Sequence, residues 1–282
     1  MRRENLPGAV VLTGHADRLP ALRLETAPGG RMLLRQGARP VLLARLDGDR
    51  HGVTVHRRDG YRSPLPPLRV DEARQSPDWP HRFASGLAAS DRGPLHADRL
   101  LLTRRSGFPP YVWHDDLVRD WPTVHLDHDR TGWNGVLPLR PLSAADAPRV
   151  KAYRRQAREG VLPPVLLWSI PEFDGWLVLD GHDRAVAALA EGRDPDAVVL
   201  ARGEDEETRA TAYEAVSASF ERRLADIPPG QGPARRALTR SHAAALASVP
   251  YDEAPTPTWP ISGGAAAWDA WMLEFRHEHD CH

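Results

Sequence analysis

The stretch Trp176-Leu177-Val178-Leu179-Asp180-Gly181-His182-Asp183-Arg184-Ala185-Val186-Ala187-Ala188-Leu189 constrains the fold more than any other part of the chain. Four apolar residues read as a strand, Gly181 as a turn, and the alanine-rich remainder as a helix whose Ala185, Ala188 and Leu189 share one sheet-facing side. A strand that passes through a glycine straight into a helix aims free backbone N–H groups and the positive end of the helix dipole at one point. Anions, phosphates above all, bind at such points. His182 and Arg184 occupy the same turn, which the pattern places at the solvent-facing start of the helix.

The surrounding pattern predicts an α+β (mixed) protein. Residues 1–135 read as a β-rich N-terminal region, with short apolar runs (Ala9–Leu12, Met32–Leu34, Val41–Leu46, Val53–Val55, Leu100–Thr103, Pro122–Leu126) between Pro/Gly turns. Residues 136–202 read as a small α/β domain. A strand over Leu137–Leu142 leads to Ser143 as N-cap of a helix running to Arg158 and stopped by Gly160. Strands follow over Val165–Ile170 and Trp176–Leu179, joined by an Asp174-Gly175 turn, then the helix Asp183–Glu191 and a strand over Ala197–Ala201. Residues 203–282 read as a helical C-terminal extension, broken at Pro228-Pro229-Gly230.

Bulk properties exclude several classes. Net charge is −1 and the longest uncharged apolar stretch, Val161–Pro171, carries two prolines, so neither nucleic acid nor a membrane is the expected partner. No signal peptide is read at the N-terminus, and a single cysteine, Cys281, fits a reducing cytoplasm. Lys151 is the only lysine and lies in no G-K-[ST] motif, so a P-loop is excluded. Any bound phosphate must therefore be held by arginine and backbone.

Glu159-Gly160-Val161-Leu162-Pro163-Pro164-Val165-Leu166-Leu167, followed by Leu179-Asp180-Gly181-His182-Asp183-Arg184-Ala185, resembles the ParB/sulfiredoxin-like superfamily over residues 136–202. The resemblance implies a small α/β domain that binds nucleotide phosphates at a G-x-x-R turn. Gly181 would permit close backbone approach and Arg184 would clamp the phosphate. Members include partition proteins that bind and hydrolyse CTP, sulfiredoxin acting with ATP, and ADP-dependent serine kinases. This chain departs from them. His182 and Asp183 stand where partition proteins have glutamate and arginine, no cysteine lies near the turn for sulfiredoxin chemistry, and no helix-turn-helix signature or basic cluster follows residue 203.

The expected ligand is a nucleotide or other phosphorylated small molecule, held by Gly181, His182 and Arg184, with a nucleoside tri- or diphosphate and Mg²⁺ as the implied cofactor pair. For catalysis of phosphoryl transfer or nucleotide hydrolysis, His182, Asp180 and Asp183 are the candidates. Each has a plainer alternative. Arg184 pairs with Asp180 or Asp183; His182 is a hydrogen-bonded turn residue; Asp183 supports the helix dipole while Asp180 accepts backbone N–H groups. A non-catalytic ligand-sensing or interaction module is the competing function, and a DNA-binding nuclease-like role is disfavoured by the charge. His125-Leu126-Asp127-His128-Asp129 and the tail His277–His282 hold ligand-type side chains without a readable metal spacing, so no metal site is assigned. Trp113, Trp121, Trp133, Trp168 and Trp176 read mainly as core, with Trp168 and Trp176 facing across a hairpin.

Overall fold

The computed structural model describes residues 1–14, 19–48, 51–68, 72, 74, 75, 78–105, 108, 112, 113, 121–127, 135–228 and 230–279. In chain order, β1 (Arg2–Leu6), β2 (Ala9–Thr13), β3 (Leu22–Ala27), β4 (Arg31–Gln36), β5 (Arg39–Asp47) and β6 (Gly52–Arg57) precede α1 (Trp79–Ala88). Next come β7 (Arg99–Arg105), β8 (Thr123–Asp127), β9 (Gly135–Pro138), α2 (Pro148–Glu159), β10 (Val165–Ile170), β11 (Gly175–Asp180), α3 (His182–Ala190) and β12 (Ala197–Arg202). α4 (Glu206–Ala225), α5 (Gly232–Ser248), β13 (Thr258–Pro260) and α6 (Gly264–His279) complete the described chain. The protein is of the mixed α+β class, with strands in two mixed sheets.

Two compact units emerge: residues 1–201 together with 255–282, and residues 202–254. In the first, one sheet has the order β1-β2-β7-β12-β10-β11-β9 and the other β13-β3-β4-β5-β6-β8. A single apolar cluster contains Val10, Leu12, Leu166 and Leu177 of the first sheet and Leu24, Leu34, Leu42 and Val55 of the second. The two sheets therefore share one core, to which α1 adds Phe83 and Leu87. On the far face of the first sheet, Ala185 of α3 packs with Val165, Leu167, Val178 and Val199. On the far face of the second, Trp268, Met272 and Phe275 of α6 cover Leu33 and Leu43. The order of layers is helix, sheet, sheet, helix. Covering both faces of each sheet accounts for the unbroken burial of runs such as Val41–Ala44, where alternation would mark a half-exposed strand.

The unit bounds differ from the three segments read in the sequence. Strands β1, β2 and β7 join the sheet built by β9–β12, and α6 covers the other sheet. The reason is backbone pairing: β12 would present an open edge if residues 136–202 stood alone, and β7 occupies that edge. Ser143 is not the N-cap of α2; Ala147 is, with Pro148 in the first turn. Gly160 does close that helix, in the left-handed conformation (φ 71°). Trp168 and Trp176 lie on opposite faces of their sheet, because Trp168 opposes Leu177 while Trp176 opposes Ser169. Trp113, Trp121, Trp168 and Trp176 are all buried; Trp133, His128, Asp129, Pro229, Asp280, Cys281 and His282 lie outside the described residues.

The unit of residues 202–254 is a helical hairpin. Asp205 caps α4 by accepting from the Thr208 N–H at 2.8 Å, and Phe220 of α4 stacks on His242 of α5 at 4.2 Å between centroids. Among the described residues no helix is long and apolar enough to cross a membrane.

Phe83 is 1% exposed in the shared core, so Phe83→Ala should cost about 3–5 kcal/mol. Urea denaturation should show a lower midpoint at an unchanged slope.

Candidate functional site

The turn at the start of α3 gathers all of the candidates read from the sequence. Gly181 adopts φ 94°, which an L side chain takes up only with strain, and so lets β11 turn at once into α3. An added Cβ would stand 2.7 Å from Nη2, 2.9 Å from Nε and 3.0 Å from Cζ of Arg184. The guanidinium thus lies flat on the glycine, in the space that a side chain would fill. Its Nη2 donates to the Asp180 carboxylate at 2.7 Å. Its Nε is buried and has no acceptor among the described residues.

The expectation that this turn faces solvent is corrected. His182, Asp183 and Arg184 are 1%, 3% and 3% exposed. The cover comes from two segments. Tyr61 donates its hydroxyl to the Leu179 carbonyl at 2.8 Å, and Ser63 donates to Asp180 at 2.6 Å. From the other side, the residues after β9 bring Leu139, Arg140 and Ser143 over the turn. Sequence reasoning missed Tyr61 and Ser63, which lie about 120 residues away and carry no local signal.

His182 is a hydrogen-bonded turn residue. Its Nε2 accepts the Leu139 backbone N–H at 3.0 Å, and its ring lies 6.2 Å from that of Tyr61. Burial, reinforced by Arg140, Arg57 and Arg184, holds its pKa well below the ordinary 6.5, so the ring is neutral at pH 7. With Nε2 committed to a backbone donor, this ring offers that nitrogen to no ligand. The Tyr61 hydroxyl is pushed the opposite way, well above 10, by burial and by Asp180.

The two aspartates are committed as well. Asp180 takes the Ser63 hydroxyl and the Arg184 guanidinium. Asp183 takes the Ser143 hydroxyl at 3.0 Å, with Arg140 at 3.2 Å and Arg149 at 3.4 Å. Three arginines thus face two carboxylates. A metal role for Asp180 and Asp183 fits this arrangement poorly, because their charge is already spent on arginine. Among the described residues no group of three His, Cys, Asp or Glu side chains could hold a metal ion. His125 accordingly bonds Thr54 of the neighbouring strand at 3.0 Å.

Beside the turn a cleft of about 290 Å³ opens between α2, α3 and the starts of β10 and β12. Arg184 lines it together with the apolar Leu162, Pro163, Val165 and Ala188 and with the charged Arg193, Asp194 and Asp196. The chain matches no family model, no curated protein and no solved structure.

Two outcomes follow. Gly181→Ala should destabilise the protein by about 1–3 kcal/mol, since the methyl both strains φ and displaces the Arg184 guanidinium. Chemical denaturation measures this directly. The second concerns pH. The unfolded chain protonates His182 as pH falls through about 6.5 while the folded chain does not, so acid favours unfolding. Stability should be flat above pH 6.5 and fall below it by up to about 1.4 kcal/mol per pH unit from this one residue. In His182→Gln that share of the slope should vanish. His56, lowered to about 4 by burial, Arg276 and His279, adds a smaller loss of the same sign between about 6.5 and 4.

Proposed function

We propose that this protein binds a nucleotide or another phosphorylated small molecule at the start of α3, as its resemblance to the ParB/sulfiredoxin-like superfamily implies, and that the turn holds the ligand without performing chemistry on it. The observation that carries the reading is the buried Arg184 Nε, a cationic donor with no acceptor among the described residues, beside a left-handed glycine at a helix N-terminus. A buried donor left unpaired costs about 1–3 kcal/mol or more when charged, and an anionic oxygen would remove that cost. Charge supports the same ligand. Arg140, Arg149 and Arg184 exceed Asp180 and Asp183 by one positive charge, and the helix dipole adds to it.

The organic part of the ligand has a place to rest in the cleft that Arg184 lines, against Leu162, Pro163, Val165 and Ala188. Catalysis at the turn lacks a matching observation. His182 is neutral with Nε2 engaged, and both carboxylates accept from arginine and serine. The binding-module reading is therefore favoured over phosphoryl transfer or hydrolysis.

A thermal-shift titration with ATP, ADP, CTP, GTP and inorganic pyrophosphate tests this. Arg140→Ala and Arg149→Ala are the informative variants, because Arg149 is mostly exposed and Arg140 is partly so. Arg184→Ala would strand Asp180 and threaten the fold. At about 100 times its dissociation constant a ligand should add about 2.7 kcal/mol in the wild type, and the shift should shrink in both variants. No shift with any of these compounds would sink the proposal. Release of phosphate from a bound nucleotide would replace it with a catalytic reading.

A further inference from the structure

A second site lies far from α3, on the face of the β13–β8 sheet that α6 covers. Strand register sets its chemistry. Arg31, Arg45, Thr54 and His125 are consecutive cross-strand partners and form one row over β4, β5, β6 and β8. Two residues along, Leu33, Leu43 and His56 form the next row on the same face. α6 covers that second row, where Trp268, Met272 and Phe275 pack on Leu33 and Leu43. The first row passes beyond it. There, α6 and the sheet enclose a groove of about 620 Å³ lined by Arg45, Thr54 and His56 from the sheet and by Trp268, Leu273 and Arg276 from the helix. That is an ordinary volume for a small-molecule site.

The charges in this groove are unbalanced in a specific way. Arg31 and Arg45 stand directly opposite each other, an unfavourable pairing of like charges. Arg31 is relieved by a bidentate pair with Asp269 of α6, both contacts at 3.0 Å. Arg45 has no such partner among the described residues, and neither has Arg276. The acids of α6 that could serve them are taken: Asp269 by Arg31, and Glu274 and Glu278 by Arg58. Asp47, which also lines the groove, is engaged within the chain. Burial, with Arg276 and His279 adding to it, lowers His56 to about 4, so this ring brings no charge to the groove at pH 7.

The α6 side of the lining also supplies apolar surface. Leu273 of α6 is 58% exposed and borders the groove, with buried Met272 and Trp268 beside it. An exposed leucine beside two exposed arginines that pair with no acid among the described residues matches a molecule with one anionic end and one apolar body.

We propose that this groove binds a small amphiphilic carboxylate, its carboxylate between Arg45 and Arg276 and its hydrocarbon body against Met272 and Leu273. The site is independent of the α3 turn, and its ligand differs in kind from a nucleotide. Calorimetric titration of the full chain with decanoate below its micelle concentration tests it, with decanol as the uncharged counterpart. The expected result is saturable binding of decanoate, weaker binding of decanol, and at least a tenfold loss of decanoate affinity in the Arg45→Gln/Arg276→Gln double variant. Leu273→Asp, a single change at an exposed position, should weaken decanoate to a similar extent and serves if the double variant does not fold. Failure of decanoate to bind, equal binding of decanol, or unchanged affinity in the double variant or in Leu273→Asp would each overturn the proposal.

Discussion

Everything in the larger unit rests on one apolar layer shared by two sheets. Neither sheet has the sequence of a half-exposed one: Val41–Ala44 and Leu177–Leu179 are buried without alternation, which commits both faces of each strand to a partner. The inner faces satisfy each other. The outer faces require helices, and α3 and α6 are placed by that need more than by their own propensities, since a short helix gains most of its stability from packing. The two candidate sites are by-products of this arrangement. One forms where α3 begins on its sheet, the other where the sheet extends past α6.

At the start of α3 the same side chains that look chemical in the sequence turn out to be interlocked. Gly181 is glycine because Arg184 lies on it; Arg184 lies there because Asp180 holds it; Asp180 is fixed by Ser63. Asp183 draws Arg140 and Arg149 to the same spot. The result is a rigid, slightly cationic pocket floor in which the neutral His182 acts as a backbone acceptor. Rigidity of this kind suits recognition, because donors held in place before a ligand arrives need no reorganisation to meet it.

The sequence made parts of this legible and hid others for physical reasons. The strand–glycine–helix junction was readable because a period change and a glycine coincide within a few residues, and the β11–α3 boundary lies where the pattern puts it. The helices of residues 203–248 were readable from the acidic start of α4 and the Pro/Gly break before α5. Strands β1 and β3 were missed because Arg2, Arg3, Arg23 and Glu25 interrupt the apolar signal, and their pairing with β2 and β4 supplies what propensity does not. The depth of the α3 turn was unreadable as well, because Tyr61, Ser63 and Ser143 reach it only in the folded chain. The groove beside α6 depends on a cross-strand register between β4 and β5, a property that no local pattern states.

The helical hairpin of residues 202–254 leaves and rejoins the chain through a closed neck. The Ala254 N–H donates to the Arg202 carbonyl at 2.8 Å, and Gly203 bridges Glu253. Because these two points are already side by side, the rest of the chain meets the same short span whatever the neck encloses. The cost of closing an enclosed loop grows only slowly with its length, by about 0.6 kcal/mol for each doubling. The hairpin is thus a replaceable module in the architectural sense, free to lengthen, shorten or change its surface while the sandwich that carries both candidate sites keeps its connectivity.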